Sequence, residues 1–278
     1  MKMYGRIGLI AVLVMVILFC GACELSPEVL EVPEPLEPVV VVPEKAEEQI
    51  IEETDKEEPS QEPMPTTNEN GFVVVLDPGH QRHGDSALEA NGPGSDTKKA
   101  RVTGGTTGVS TGVPEYKLNL QIAKKVKAEL ESRGYTVYMT RTSHDVNISN
   151  KERAQFASSK GADIAVRIHA NGASDRSVRG ALMLAPSTSN PYISYLAKDS
   201  QRLSSCILDA YCKATGFRNR GVQGNDTMTG INWSEVPVTI IEMGFMSNAT
   251  EDEAMQKSSM QEKMAQGIAN GIDDYFGR

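Results

Sequence analysis

The sequence predicts an α/β domain of three layers, in which helices flank a largely parallel, mixed and twisted sheet, preceded by a disordered tether. Strand and helix patterns alternate from residue 72 onwards, which favours a parallel sheet covered by helices. The length of 278 residues allows one large domain or two small ones. Charge divides the chain, because residues 24–70 carry 15 of the 37 acidic residues and two basic ones, a balance of −13. The 24 basic and 22 acidic residues of 71–278 leave that part at +2.

Residues 1–23 are predicted to be a secretory signal. Two basic residues, Lys2 and Arg6, precede sixteen uncharged residues at 7–22, a pattern typical of export signals. Gly21-Ala22-Cys23 resembles the end of a bacterial lipoprotein signal, in which the cysteine becomes lipidated. The alternative is an uncleaved anchor helix, although sixteen residues are fewer than the roughly 20 that span a bilayer. Either interpretation predicts an extracytoplasmic, membrane-anchored protein.

Residues 24–70 are predicted to be a disordered acidic linker. Eight of the fourteen prolines fall here, interleaved with glutamates. Such a segment has too little apolar surface for a core, and proline and self-repulsion extend it. Neither this linker nor residues 71–278, predicted to be the folded domain, has a strongly basic stripe, so we expect no nucleic-acid partner.

The first elements of the domain are a buried strand and a long loop. The apolar, β-branched run at 72–77 ends at Pro78-Gly79 and indicates a strand. The loop from Gln81 to Pro114 is rich in Gly, Thr and Ser, and loops of this length are usually functional or disordered. We expect no helix within this loop that could cover a binding cleft.

Apolar residues at a spacing of four, ended by Gly134, then predict a helix at 115–133. Cys206 and Cys212, six residues apart in a helical pattern, would lie on different faces, so we expect packing residues and no disulfide. The remaining predicted elements are strands at 135–140, 163–169, 178–184 and 238–242 and helices at 149–160, 193–215 and 251–275.

Residues able to carry chemistry follow three of these strands. His80 comes directly after the first strand, His169 closes the strand at 163–169, and Glu242 closes the strand at 238–242. Glu115 lies in the first turn of the helix that ends the long loop. Because ligands bind beyond the carboxyl ends of strands in open α/β sheets, we expect these four side chains to meet at one edge.

Two imidazoles and two carboxylates suggest zinc held by three protein ligands, with an open position for water. With His80, Glu115 and His169 as ligands, Glu242 would remain as the base that takes a proton from water. The residues also have ordinary structural explanations: a loop cap for His80, the helix dipole for Glu115, and a hydrogen-bonded strand end for His169.

Glu242 is harder to explain structurally, because its apolar neighbours indicate burial and a buried carboxylate without a partner is costly. His83 and His144 lie in polar loops, and we predict no role for them. Arg153, Arg167 and Asn171 could contact peptide carboxylates or glycan, but an arginine in a helix or strand is more often an ion-pair partner.

Five motifs in order resemble the zinc-dependent N-acetylmuramoyl-L-alanine amidases of bacterial cell walls, the Amidase_3 type. The resemblance covers nearly all of residues 72–276. Its motifs are Val73-Val-Val-Leu-Asp-Pro-Gly-His80, Glu115-Tyr-Lys-Leu-Asn-Leu120, Met139-Thr-Arg141, Ile168-His-Ala-Asn171 and Ile241-Glu-Met-Gly-Phe-Met-Ser-Asn248.

This resemblance implies one Zn²⁺ per catalytic domain, with His80, Glu115 and His169 as ligands and Glu242 as the catalytic glutamate. It implies peptidoglycan as substrate and hydrolysis, by zinc-activated water, of the amide between the lactyl group of N-acetylmuramic acid and L-alanine of the stem peptide. Gln81-Arg82-His83 departs from the glycines common in the family after the first histidine, and the stretch 84–112 is longer than in compact members. We therefore assign no substrate contacts in that loop.

Two other functions fit the same residues. One is a different zinc amidohydrolase or peptidase acting on stem peptides, and the other is a catalytically silent cell-wall-binding lipoprotein. The presence of all four site residues argues against the silent lipoprotein, because binding alone would not require Glu242. An activator protein is possible with any of the three functions, and the sequence identifies none.

Overall fold

The computed structural model describes residues 71–278; the predicted signal and linker lie outside the described residues. The strands are β1 (Val73–Pro78), β2 (Asp85–Ala90), β3 (Lys98–Val102), β4 (Thr136–Met139), β5 (Ile164–Asn171), β6 (Ala181–Ala185), β7 (Asn219–Gly224) and β8 (Val238–Phe245). The helices are α1 (Glu115–Ser132), α2 (Asn150–Ser159), α3 (Ala197–Thr215), α4 (Thr229–Asn232), α5 (Ala249–Met255) and α6 (Ser258–Phe276).

Six strands form one sheet in the order β4-β1-β5-β8-β6-β7. Neighbouring strands are parallel except β6 and β8, which are antiparallel. Because β1, β5 and β8 are adjacent and parallel, their carboxyl ends lie side by side at one edge. The predicted α/β class with a largely parallel, mixed sheet between helices is confirmed.

Local sequence signals account for the helix ends. Ser149 and Glu152 form a capping box at the start of α2, in which each side chain bonds the other's backbone N–H. Gly216 ends α3 in the left-handed conformation, where glycine carries no Cβ penalty. The chain also turns at Gly134 after α1, with φ of +85°.

The two faces of the sheet are covered differently. One face packs against α1, α3 and α6, whose buried apolar residues include Ile122, Ile207 and Ile272. The other face packs against α2 and α4 through a smaller cluster that includes Ala157 and Ile231. We call the first the apolar face and the second the polar face, because the buried charges described below lie on the second.

The prediction of a loop without secondary structure from Gln81 to Pro114 was wrong. β2 and β3 form an antiparallel hairpin there. Trp233 donates its Nε1–H to the Ala90 carbonyl at 2.8 Å, and Arg101 pairs with Glu152 of α2 at 3.1 Å. Contacts with distant segments therefore hold strands whose own sequence is polar.

Other elements differ in smaller ways. β7 and α4 were not predicted, and the single helix expected at 251–275 is two helices, α5 and α6, separated at Gln256-Lys257. β6 begins at Ala181 rather than 178, and a 3₁₀ turn at Ser194–Leu196 precedes α3.

The cysteine prediction is confirmed, because Cys206 and Cys212 are free and pack, partly buried, against the core. Within 71–278, no helix combines the length and the hydropathy needed to cross a membrane.

Candidate functional site

Three of the four residues singled out from the sequence form one cluster at the carboxyl edge of the sheet. His80 Nε2 lies 3.2 Å from Glu115 Oε2, and His169 Nδ1 lies 3.2 Å from Glu115 Oε1. One potential ligand atom from each residue falls within 4.8 Å of the other two. His80 follows β1, His169 lies near the end of β5 and Glu115 begins α1, so three separate elements build the cluster.

Backbone and amide donors fix the carboxylate of Glu115. Oε2 accepts a hydrogen bond from the Thr106 N–H at 2.9 Å, and Oε1 accepts from Ala170 N–H and Asn119 Nδ2, both at 3.1 Å. Burial alone would raise the pKa of Glu115, but hydrogen bonds from His169 and His80 outweigh it and hold the pKa well below its usual range. Glu115 is therefore an oriented carboxylate.

His80 is held in an unusual backbone conformation. Its φ is +60°, and among residues 71–278 it is the one non-glycine residue with positive φ. Arg153 Nη2 donates to its carbonyl oxygen at 3.1 Å, and its Nδ1 lies 2.8 Å from the carbonyl oxygen of Thr103. Because Nδ1–H is donated to that carbonyl, the ring is oriented with Nε2 towards Glu115.

His169 is packed tightly beside it. A Cβ on Gly79 would lie 2.1 Å from the His169 ring, so only glycine allows this approach. Burial lowers the pKa of His169 to about 4, which keeps the imidazole neutral, the form that ligates metals. Its buried Nε2 has no hydrogen-bond partner among the described residues. Two imidazoles and one carboxylate are a donor set that fits zinc.

Glu242 lies beside the cluster rather than in it. It pairs in register with His169 across β5 and β8, so both side chains project from the same face. Its neighbours Ile241 and Met243 are fully buried, while Glu242 is half-buried and faces the groove. Burial, reinforced by the negative charge of Glu115, raises the pKa of Glu242 to about 8, while Arg167 acts in the opposite direction.

The four residues line one open groove of about 570 Å³. Thr103, Gly104, Gly105 and Thr106 of the segment after β3 form one wall, and residues 170–174 at the end of β5 and beyond it form another. Although no helix lies between Gln81 and Pro114, the segment that follows the hairpin lines the groove.

A buried charge network lies beneath the cluster. Asp77 accepts hydrogen bonds from Arg153 Nη1 at 2.8 Å, from Arg167 Nε at 2.7 Å and from Thr140 Oγ1 at 2.5 Å. Burial opposes ionisation of Asp77, but the two guanidinium groups hold its pKa well below its usual range. The alternative that Arg153 and Arg167 are ion-pair partners is correct.

Sequence reasoning missed the contribution of Thr103 and Thr106, which act through backbone groups that no side-chain motif marks. Asn171 lines the groove and accepts the N–H of Gly172 through its own side chain. His83 is exposed, and His144 packs edge-on against the Tyr116 ring at 5.2 Å, so neither joins the cluster.

Comparisons with known proteins point to one family. The profile of Amidase_3, described as N-acetylmuramoyl-L-alanine amidase, matches residues 74–274. The N-acetylmuramoyl-L-alanine amidase LytC of Bacillus subtilis (strain 168) is 30% identical over 206 residues, which cover 74% of this chain and 36% of LytC. The chain thus spans about a third of the length of that relative.

Solved structures agree with this match. The N-acetylmuramyl-L-alanine amidase Ami1 from Mycobacterium smegmatis superposes with a TM-score of 0.67 at 25% identity, covering 74% of this chain and 97% of Ami1. The N-acetylmuramoyl-L-alanine amidase from Clostridium difficile 630 gives a TM-score of 0.62 at 26% identity, covering 75% and 98%. Since the profile match spans well over half of the 278 residues, the chain belongs to the Amidase_3 family of N-acetylmuramoyl-L-alanine amidases.

Proposed function

We propose that this protein is a peptidoglycan hydrolase that cleaves the amide between the lactyl group of N-acetylmuramic acid and L-alanine of the stem peptide. The observation that carries the proposal is a cluster of three potential metal ligands with a separate carboxylate, Glu242, in one open groove. Membership of the Amidase_3 family supports the same bond and substrate class.

His80, Glu115 and His169 would hold one zinc ion. Their two nitrogens and one oxygen match the three-ligand sets of hydrolytic zinc sites, and their outer hydrogen bonds to Thr103, Thr106 and Ala170 orient two of the three. When bound, zinc supplies a Lewis acid that polarises a carbonyl oxygen and lowers the pKa of water.

Glu242 performs the proton transfers in this proposal. Its carboxylate accepts a proton from the attacking water, and the resulting carboxylic acid then delivers that proton to the nitrogen of the departing L-alanine. A pKa raised to about 8 makes both protonation states accessible near neutral pH, and a nearby cation would shift the balance towards the ionised base. Its half-buried position lets it reach a substrate in the groove.

The proposed organisation has three parts: a signal at 1–23 with lipidation at Cys23, a linker at 24–70 and the catalytic domain at 71–278. At about 5–6 Å times the square root of residue number, the 47-residue linker would span roughly 40 Å between an extracytoplasmic membrane anchor and the cell wall. We expect membrane association that survives high salt and is lost with Cys23→Ala; unchanged mass and processing in that variant would refute lipidation.

The reaction is tested by comparing Glu242→Gln with Glu235→Gln, an exposed glutamate whose variant should remain active. Because general acid–base catalysis contributes about 10²- to 10⁴-fold, Glu242→Gln should lower release of stem peptide from purified cell wall by that factor. Mass spectrometry should identify released peptides that begin with free L-alanine.

Three results would count against the proposal. Undiminished release by Glu242→Gln would contradict the role of that residue. Peptides that begin at a later residue would favour the alternative of a zinc peptidase acting on stem peptides. Absence of any cleavage by a chain that contains one zinc would favour a silent wall-binding lipoprotein.

A further inference from the structure

A second cavity of about 190 Å³ continues from the groove along the polar face of the sheet. His80, His169 and Glu242 line both spaces, so a group bound in the second cavity would touch the candidate active site. Arg167 and Gly230 line the second cavity but not the groove. The volume is about six times the roughly 30 Å³ of one water molecule, enough for a carboxylate and its adjoining carbons.

Arg167 brings a cation with unused hydrogen-bonding capacity to this cavity. Its side chain is 6% exposed; Nε donates to Asp77 at 2.7 Å and Nη2 donates to Asn150 Oδ1 at 2.8 Å. Within residues 71–278, Nη1 has no hydrogen-bond acceptor, yet it is not sealed from solvent. A Cβ on Gly230 would lie 1.9 Å from Nη1, so glycine at that position leaves the nitrogen its space.

Arg167 shares its carboxylate partner with a second guanidinium group. Asp77 is bonded to both Arg153 and Arg167. Glu242 lines the same cavity but forms no ion pair with Arg167 among the described residues. Because a buried charge is costly without full compensation, an anion that bonds Nη1 would complete what the shared Asp77 supplies only in part.

We propose that the Arg167 cavity is an anion subsite that takes a free carboxylate of an acidic stem peptide, one residue beyond the amide that is cut. This assignment rests on the proposed function. A guanidinium matches a carboxylate in geometry as well as in charge, which favours this group over a neutral amide.

The spacing along β5 agrees with this register. Arg167 and His169 are two residues apart on the same face of the strand, about 6.6 Å at 3.3 Å per residue. In an extended peptide, the carboxylate carried on the α-carbon of the second residue lies about 6 Å from the first residue's nitrogen. A γ-linked glutamate after L-alanine carries such a carboxylate, whereas isoglutamine carries an amide there.

The experiment compares two synthetic substrates with the purified, zinc-loaded full chain. N-acetylmuramoyl-L-alanyl-D-glutamate γ-methylamide has the free α-carboxylate, and N-acetylmuramoyl-L-alanyl-D-isoglutamine γ-methylamide has an amide in its place. The γ-methylamide removes the second carboxylate from both compounds and imitates the γ-linkage of a stem peptide. Because hydrogen bonds to charged groups are among the stronger ones, we expect kcat/KM about ten- to a hundredfold higher for the acid. We expect most of that preference to appear in KM, since the carboxylate is remote from the bond that breaks.

Arg167→Lys keeps a cation near Asp77 but removes the Nη1 donor. We expect it to reduce the preference below about threefold. The readout is the ratio of kcat/KM for the two substrates within one variant, which a change in activity common to both substrates does not alter. The control is Arg202→Gln on α3, an exposed arginine on the opposite side of the sheet, which should keep the full preference. If Arg167→Lys fails to fold, Gly230→Ala decides the question, because its Cβ would displace Nη1 without removing the charge.

The possible outcomes distinguish failure of the subsite proposal from failure of the amidase proposal. If wild type cleaves both substrates equally, or if Arg167→Lys and Gly230→Ala both keep the preference, the subsite is wrong and the amidase proposal stands. If wild type cleaves neither these substrates nor purified cell wall, the amidase proposal fails. Preferential binding of L-alanyl-D-glutamate γ-methylamide over L-alanyl-D-isoglutamine γ-methylamide, measured by calorimetry and lost in Arg167→Lys, would support the subsite independently of catalysis.

Discussion

The two faces of the sheet use buried residues for different purposes. On the apolar face, α1, α3 and α6 cover the sheet with aliphatic side chains that are almost wholly buried. On the polar face, Asp77, Arg153 and Arg167 occupy buried positions that side chains of the same size could fill with apolar atoms. The apolar face therefore supplies most of the hydrophobic stability, whereas the buried charges of the polar face orient the residues at the sheet edge.

Close glycine contacts occur on both sides. A Cβ on Gly271 would lie 2.3 Å from the backbone of Ile207, so this glycine sets the approach of α6 to α3. A Cβ on Gly79 would lie 2.1 Å from the His169 ring. The absence of a side chain on glycine therefore lets α6 approach α3 on one side of the sheet and makes room for His169 on the other.

The largest effect is expected from Arg153→Met. Removing this buried cation leaves Asp77 with one cationic partner and removes the donor that holds the His80 carbonyl, so we expect a loss of about 3–5 kcal/mol in the free energy of unfolding. We also expect zinc to bind about 10- to 100-fold more weakly. Urea unfolding and zinc titration of the full chain measure the two quantities.

Ile207→Ala on the apolar face is the matched variant. It should cost about 2–5 kcal/mol through the cavity it leaves, with zinc affinity unchanged. If Ile207→Ala weakened zinc binding as much as Arg153→Met, the expectation that only the polar face affects zinc affinity would be wrong.

The glycine pair gives the next largest effect. Gly79→Ala should weaken zinc binding by about 10- to 100-fold because its Cβ displaces the His169 ring. Gly271→Ala should lower the free energy of unfolding by about 1–3 kcal/mol through overpacking of α6 on α3 and leave zinc affinity unchanged. Equal zinc affinities in the two variants would show that His169 tolerates displacement.

The smallest effect concerns Glu242 and pH. Its pKa is about 8 in the folded chain against a usual 4.5, so the folded state binds the proton more tightly. The contribution of this proton to the free energy of unfolding is fully present below about pH 4.5 and is lost as pH rises through 8. The full shift would correspond to about 5 kcal/mol, and solvent in the open groove screens part of it. Glu242→Gln cannot ionise, so in chelator it should be more stable than wild type by about 1–3 kcal/mol at pH 9 and equal to it near pH 4.

Thermal unfolding at several pH values tests this expectation. Glu235→Gln, with its exposed side chain, should follow wild type throughout. A constant difference between Glu242→Gln and wild type from pH 4 to 9 would mean that burial does not raise the pKa of Glu242.

The sequence predicted the fold class and the convergence of the site because the relevant signals are local. His80, His169 and Glu242 each follow or end an apolar, β-branched run, and parallel strands bring such ends to one edge. The hairpin could not be predicted in this way, since β2 and β3 are polar and depend on Trp233 and other distant contacts. α4 has four residues, too few to show a helical period.

Other features could not be predicted from the sequence because they depend on contacts between distant charged residues or on the backbone. The spacing of Arg153 and Arg167 gives no indication that both reach Asp77, which is 76 residues from one and 90 from the other. The break between α5 and α6 has neither glycine nor proline, so the apolar pattern continues across it. The positive φ of His80 follows from hydrogen bonds made by residues far along the chain.

The hairpin lies between two candidate ligands, His80 and Glu115, which are 35 positions apart in the chain. An ion bound by both would cross-link the ends of this segment, and closing a loop of about 35 residues removes roughly 4 kcal/mol of chain entropy from the unfolded state. With Cys206 and Cys212 both free, metal coordination could supply the constraint that a disulfide gives to other proteins. Metal supply would then determine how long the hairpin survives proteolysis, as well as whether the groove can carry out hydrolysis.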